Sequence, residues 1–190
     1  QHMIYHLAPN GKMGVVLANG SLSSQSGGEG DIRRKIIEDD LVEGIVAMPT
    51  QLFYTTQIPV SLWFITRNKK QKGKTLFVDA RNMGTMVTRR LREMTDEDIA
   101  KIANTFKAFN DGTLEEVKGF CAVATTEEIA KNDYILTPGR YVGIEEQEDD
   151  GEPFEEKMTR LTSELSEMFK RSHELEEEIR KKLGAIGYEL

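Results

Sequence analysis

Nine of the chain's 25 basic residues fall between positions 67 and 92: Arg67, Lys69, Lys70, Lys72, Lys74, Arg81, Arg89, Arg90 and Arg92. A single acid, Asp79, interrupts them. Lysine and arginine at that density suit the neutralisation of phosphates, which is the chemistry of a nucleic-acid surface. The net charge of −7 conceals this. Residues 1–144 carry 18 bases and 17 acids, whereas residues 145–190 carry 7 bases and 15 acids. The sequence therefore reads as a near-neutral body with one basic segment and an acidic tail.

Other chemistries find less support. The glycine-rich stretch Ser26-Gly27-Gly28-Glu29-Gly30 precedes a helical pattern, but it lacks the Gly-Lys-Ser/Thr ending of a phosphate loop. Glu29 would also repel a phosphate, so the stretch reads as a flexible loop. His2, His6 and His173 are far apart and no Cys-x-x-Cys exists, so no metal site is expected. No nucleophile elbow and no paired-carboxylate signature stands out, and no catalytic residue is assigned. The lone Cys121 has no disulfide partner, which suits the cytoplasm. The longest apolar runs, residues 15–18 and 58–65, fall far short of the ~20 residues a membrane helix needs.

The elements that must position these residues alternate in type. Residues 1–8 read as the last turns of a helix, stopped by Pro9-Asn10-Gly11. A short apolar run at 13–18 reads as a buried strand, 41–48 as a second, 58–66, rich in β-branched and aromatic residues, as a third, and 74–79 as a further short one. Asp31 is the expected cap of a helix to about residue 39, with Ile32, Ile36 and Ile37 on its buried face. Residues 83–92 show no period and read as an exposed connection. Thr95 and Asp98 have capping-box spacing ahead of an amphipathic helix through residue 110. A strand at 120–124, a helix at 125–131 and an extended segment at 134–142 complete an α/β body.

Residues 145–153 form an acidic linker. Beyond it, Phe154, Met158, Leu161, Leu165, Met168, Leu175 and Ile179 follow alternating steps of four and three, with Ser172 in the one polar gap. This is a coiled-coil-like stripe. Such a helix either packs back on its own domain or forms an arm for a partner. The linker and the narrow stripe favour the arm, giving divisions of 1–144, 145–153 and 154–190.

Two regions carry a family resemblance. Gly11-Lys12-Met13-Gly14-Val15-Val16-Leu17-Ala18-Asn19-Gly20-Ser21-Leu22 resembles the fifth-strand motif of adenine-N6 DNA methyltransferases. It is followed by Ile32-Arg33-Arg34-Lys35-Ile36-Ile37-Glu38 and by Leu41-Val42-Glu43-Gly44-Ile45-Val46-Ala47-Met48-Pro49. Next comes Leu52-Phe53-Tyr54-Thr55-Thr56-Gln57-Ile58-Pro59-Val60-Ser61-Leu62-Trp63-Phe64-Ile65. In this order the set resembles the modification (M) subunit of type I restriction-modification systems. Tyr134-Ile135-Leu136-Thr137-Pro138-Gly139-Arg140-Tyr141 is similar to that family too.

The resemblance implies methyl transfer from S-adenosylmethionine to the exocyclic amine of a flipped adenine. It implies a partial Rossmann-like methyltransferase sheet, strands five to seven, with flanking helices and a long C-terminal helix. The family's glycine-rich cofactor motif and its Asn-Pro-Pro-aromatic motif do not occur in these 190 residues. The chain is accordingly expected to be a C-terminal piece, beginning within the helix before strand five and inactive alone, with no cofactor-binding residue of its own. By the same resemblance, Phe53, with Tyr54 as the alternative, is the aromatic that packs on the extruded base. Arg89, Arg90 and Arg92, with Lys70 and Lys72 in a turn, are the candidates for DNA phosphates. The expected partners are duplex DNA, a specificity (S) subunit gripped by the helical stripe, and a restriction (R) subunit.

Two physical expectations accompany this reading. The first strand would lack its family neighbour and leave a bare sheet edge. The apolar stripe would drive self-association of the chain. Competing readings are a stand-alone adenine methyltransferase without a specificity subunit, and a non-enzymatic adaptor carrying a coiled coil.

Overall fold

The fully buried strand Val42–Ala47 (β2) is the axis of the body, with strands paired on both sides of it. The computed structural model describes residues 1–144 and 153–188. A single-turn helix, His2–Tyr5 (α1), leads into Lys12–Ala18 (β1), then Glu29–Glu38 (α2), β2, Val60–Thr66 (β3) and Lys74–Asp79 (β4). A two-stranded hairpin follows, Thr85–Met86 (β5) with Arg92–Glu93 (β6). Asp96–Asp111 (α3), Cys121–Thr125 (β7) and Thr126–Lys131 (α4) close the body.

The main sheet is five-stranded and mixed, in the order β1-β3-β2-β4-β7. β2 and β4 are parallel, and every other pairing is antiparallel. Among the described residues, β1 lies at one end of this order and pairs with β3 alone. One core gathers Ile45, Trp63, Ile65 and Phe77 with Ile37 of α2 and Ile129 of α4. The other gathers Val46, Leu76 and Val78 with Phe109 of α3. Tyr141 stacks on Phe77 at 3.9 Å, and its hydroxyl donates to the Ile135 carbonyl at 2.6 Å. Burial pushes this phenol up to about 12.

Gly44 sits where α3 crosses β2. A methyl group there would lie 2.7 Å from the Phe106 ring and 3.1 Å from the Leu76 carbonyl, so only glycine allows the helix this close.

The capping box of α3 forms as the spacing predicts. The Asp98 N–H donates to Thr95 Oγ1 at 3.1 Å, and the Thr95 N–H donates to Asp98 Oδ2 at 3.0 Å. A second box, Thr125 with Glu128, makes Thr125 the cap and not the first residue of α4, so the helix starts at Thr126. The start of α2 also differs. It opens at Glu29 behind Gly28, whose φ of 80° supplies a left-handed cap that Asp31 was expected to provide with its side chain. Asp31 instead lies in the first turn beside Arg34, at 3.1 Å.

The chain divides into two compact units, Gln1–Glu146 and Gln147–Leu190. In the second, a single 32-residue helix, Phe154–Ala185 (α5), carries the stripe, and none of its residues is buried. Apart from Pro153, the acidic linker lies outside the described residues. Among the described residues, no helix is long and apolar enough to cross a membrane.

Candidate nucleic-acid interface

β1, β2 and β4 run in one direction, so the segments that leave their carboxyl ends gather at one end of the sheet. In open α/β sheets that end is where ligands are bound. Here it holds residues 48–59 after β2 and residues 80–93 after β4. The Ala80 N–H donates to the Ala47 carbonyl at 2.9 Å and ties the two exits together.

Gln51 joins the two segments further out. Its backbone takes the left-handed conformation, with φ of 67°, which a non-glycine residue seldom adopts. In that conformation its carbonyl accepts the Arg92 N–H at 2.8 Å, and its side-chain amide donates to the Arg89 carbonyl at 3.4 Å. The hairpin is anchored at its base as well. Arg92 Nη1 donates to the carbonyls of Met83 at 2.9 Å and Gly84 at 3.2 Å, and the Gly84 N–H donates to Asp98 Oδ2 at 3.0 Å. At its tip, Thr88 Oγ1 accepts from the backbone of Arg90 at 3.2 Å and of Leu91 at 3.1 Å. The hydrogen bonds to Asp98, from the Thr95 backbone above all, hold its carboxyl below the usual carboxylate range.

The result is a concavity of about 290 Å³ lined by Phe53, Tyr54, Thr55, Thr56, Gln57 and Arg90. Tyr54 is 89% exposed and Phe53 39% exposed, so both rings offer a face to a ligand. An exposed aromatic pair beside a guanidinium suits a planar group bearing negative charge nearby, because stacking and charge neutralisation then act together.

The basic segment of the sequence is not one surface. Lys70 and Lys72 lie in the β3–β4 turn, at the opposite end of the sheet from Phe53. Lys70 pairs with Asp111 at 3.6 Å. Lys69 is buried and ion-paired with Asp40, although burial lowers its pKa. Arg67 donates to the Ile4 carbonyl at 2.8 Å. Arg81 is held by Asp79, which raises its pKa. Arg92, a phosphate candidate from its position alone, holds the hairpin with its guanidinium instead. Arg89 and Arg90 are the exposed arginines at the tip.

The residues at this end do not make a fitted site for S-adenosylmethionine. The concavity beside Phe53 is lined by aromatic, threonine, glutamine and arginine side chains, with no carboxylate to take ribose hydroxyls. A second cavity, of about 420 Å³, lies against Met13, Val15, Ile32, Ile36 and Trp63. It is mainly aliphatic, and Arg33 at its wall is already engaged with the carbonyls of Ser21, Ser24 and Tyr134.

A mixed, helix-flanked five-stranded sheet defines the class, an α/β domain. The N-6 DNA Methylase family model matches residues 1–150, and the chain belongs to that family. It is 59% identical to the type I restriction enzyme HindI methylase subunit of Haemophilus influenzae over its whole length, covering 43% of that protein. It is 49% identical to the type I restriction enzyme MjaIX methylase subunit of Methanocaldococcus jannaschii, over 98% of this chain and 34% of that one. The chain thus spans less than half the length of these relatives. The crystal structure of the type I restriction-modification system methyltransferase subunit from Streptococcus thermophilus superposes with a TM-score of 0.67 at 32% identity, over 75% of this chain and 29% of that one. These matches favour the methylase reading over the non-enzymatic adaptor.

Proposed function

We propose that this chain is the C-terminal part of an adenine-N6 DNA methyltransferase, the modification subunit of a type I restriction-modification system. In that reading the whole subunit transfers a methyl group from S-adenosylmethionine to a flipped adenine. This chain supplies the far side of the base site, and by itself it transfers nothing. The carrying observation is the meeting of Phe53 and Tyr54 with Arg90 at the carboxyl end of the sheet.

The family resemblance suggests the roles of these residues, and the exposure of Phe53, Tyr54 and Arg90 supports them. Phe53, or Tyr54, stacks on the extruded adenine and recovers ~1–3 kcal/mol of the cost of unstacking. Arg90 and Arg89 take flanking phosphates and orient the duplex without reading its sequence. β1, β2 and β3 serve as strands five, six and seven of a Rossmann-like methyltransferase sheet, whose remaining strands belong to the rest of the subunit. Residues 154–190 are the arm that meets the specificity subunit, and through it the restriction subunit, with residues 145–153 as the linker.

The test is calorimetry with S-adenosylmethionine on a subunit of the length of the relatives, followed by methylation of duplex DNA. Cofactor binding and turnover that falls on Phe53→Ala are expected. A full-length subunit silent towards the cofactor would discard the reading.

A further inference from the structure

Helix α5 carries more information than an apolar stripe. With Phe154, Leu161, Met168 and Leu175 at d positions and Met158, Leu165, Ser172 and Ile179 at a, the g positions are Lys157, Glu164, Arg171 and Glu178. Their charges alternate, plus, minus, plus, minus, at intervals of one heptad. All seven apolar side chains of the stripe are exposed, from 42% at Met158 to 76% at Phe154. Because the helix is unbroken from Phe154 to Ala185, these positions share one face over the whole stripe.

In an antiparallel pair of identical helices, a residues face d residues, g residues face g residues on one flank and e residues face e residues on the other. Centring two copies so that every stripe position finds a partner sets Phe154 against Ile179, Met158 against Leu175, Leu161 against Ser172 and Leu165 against Met168. The same register puts Lys157 beside Glu178 and Glu164 beside Arg171, and by symmetry each pair occurs twice. On the e flank it sets Thr162 beside Phe169 and Glu155 beside Glu176, one like-charge pair against the two complementary g pairs. Sliding by one heptad in one direction would oppose Lys157 to Arg171 and Glu164 to its own copy. Sliding the other way would oppose Glu164 to Glu178 and Arg171 to itself. A parallel pair would bring g residues to e residues, setting Lys157 against Thr162 and Glu164 against Phe169, with only Arg171 and Glu176 complementary. Glu164 and Glu178 already pair along the helix with Arg160 at 3.2 Å and Lys182 at 2.7 Å, so the cross-helix pairs extend existing networks.

We propose that α5 is an interaction surface for a second copy of this chain, bound antiparallel in the register centred between Leu165 and Met168. The alternating charges select that register and reject its neighbours, while the apolar layers drive association. This is independent of the methyl-transfer reading. A specificity subunit would compete for the same face, so self-pairing belongs to the chain without that partner.

The experiment is sedimentation equilibrium on the 190-residue chain and its charge variants. The unaltered chain is expected to dimerise. Glu164→Arg places arginine against Arg171 twice and is expected to weaken the dimer roughly tenfold, the scale of a few exposed ion pairs inverted. Adding Arg171→Glu restores complementarity only in the antiparallel register, and the dimer constant should return to within roughly twofold of the original. Under oxidising conditions, a mixture of Leu165→Cys and Met168→Cys chains should cross-link as a heterodimer in preference to either homodimer. A chain that stays monomeric at every concentration, a double variant as weak as the single one, or preferential Leu165→Cys homodimers would each overturn the proposal.

Discussion

The carbonyl of Gln51 accepts the Arg92 N–H at 2.8 Å, and this one hydrogen bond joins the loop after β2 to the hairpin after β4. Gln51 bends into positive φ to make it. Through this link the arginine at the hairpin tip comes to lie beside aromatics nearly forty positions earlier in the chain.

Arg90 and Arg92 should therefore separate cleanly. Arg90→Ala is expected to leave stability unchanged, since its side chain is exposed, and to lower the salt dependence of DNA binding by the full-length subunit by about one phosphate's worth. Arg92→Ala removes the hydrogen bonds to the Met83 and Gly84 carbonyls and should cost ~1–3 kcal/mol. Salt titration of DNA affinity, with denaturant unfolding of both variants, checks this pair.

Tyr54→Ala and Phe53→Ala should likewise leave the folded state almost intact. The expected loss is ~1–3 kcal/mol in DNA binding by the subunit, borne by whichever ring stacks. Fluorescence of a 2-aminopurine placed at the target adenine would distinguish the two, because only the stacking ring quenches it.

Gly44→Ala forces a methyl group into the 2.7 Å space below Phe106. Overpacking of this kind costs ~1–3 kcal/mol, and Phe106→Leu in the same chain should recover part of it. Unfolding midpoints of the single and double variants give the coupling directly.

Acid should release the start of α3. The Asp98 carboxyl is held below its ordinary 3.8 by the Thr95 and Gly84 amides. A lowered carboxyl pKa contributes stability that is complete above the unfolded value and lost as pH falls through the folded one. Asp98→Asn should therefore flatten the stability profile below about pH 4, as read from denaturant midpoints against pH.

At the alkaline limb the sign reverses. The buried Tyr141 phenol, raised to about 12, favours the folded state while it stays protonated. Its contribution is complete below pH ~10 and is lost as pH climbs through 12. Tyr141→Phe should lose the hydrogen bond to Ile135, worth ~0.5–1.5 kcal/mol, and remove that limb.

Much of this was legible in the residues. The segments 13–18, 41–48, 58–66 and 74–79 lie within a residue or two of β1 to β4. β1, which its apolar run marks as a buried strand, is instead the sheet edge and has no buried residue, with Val16 52% exposed. The Thr95–Asp98 box was legible because both partners lie within one turn. Residues 83–92 were not, since a hairpin of two-residue strands is too short to show a period. Gly28 as the cap of α2 leaves no mark in the spacing, which shows the side-chain acceptor of Asp31 but not a left-handed backbone.

The amino-acid order by itself determined the α/β alternation, the family motifs and the charge alternation along α5, all of which are written in near neighbours. Only the tertiary structure decided that Lys69 is buried against Asp40, that Arg92 is a clasp, and that Lys70 and Arg90 stand at opposite ends of the sheet. The reason is that charge is a property of a residue, whereas a charged surface is a property of the distances between residues. Those distances are set by strand direction and by long-range hydrogen bonds such as that of Gln51 to Arg92, which leave no local trace.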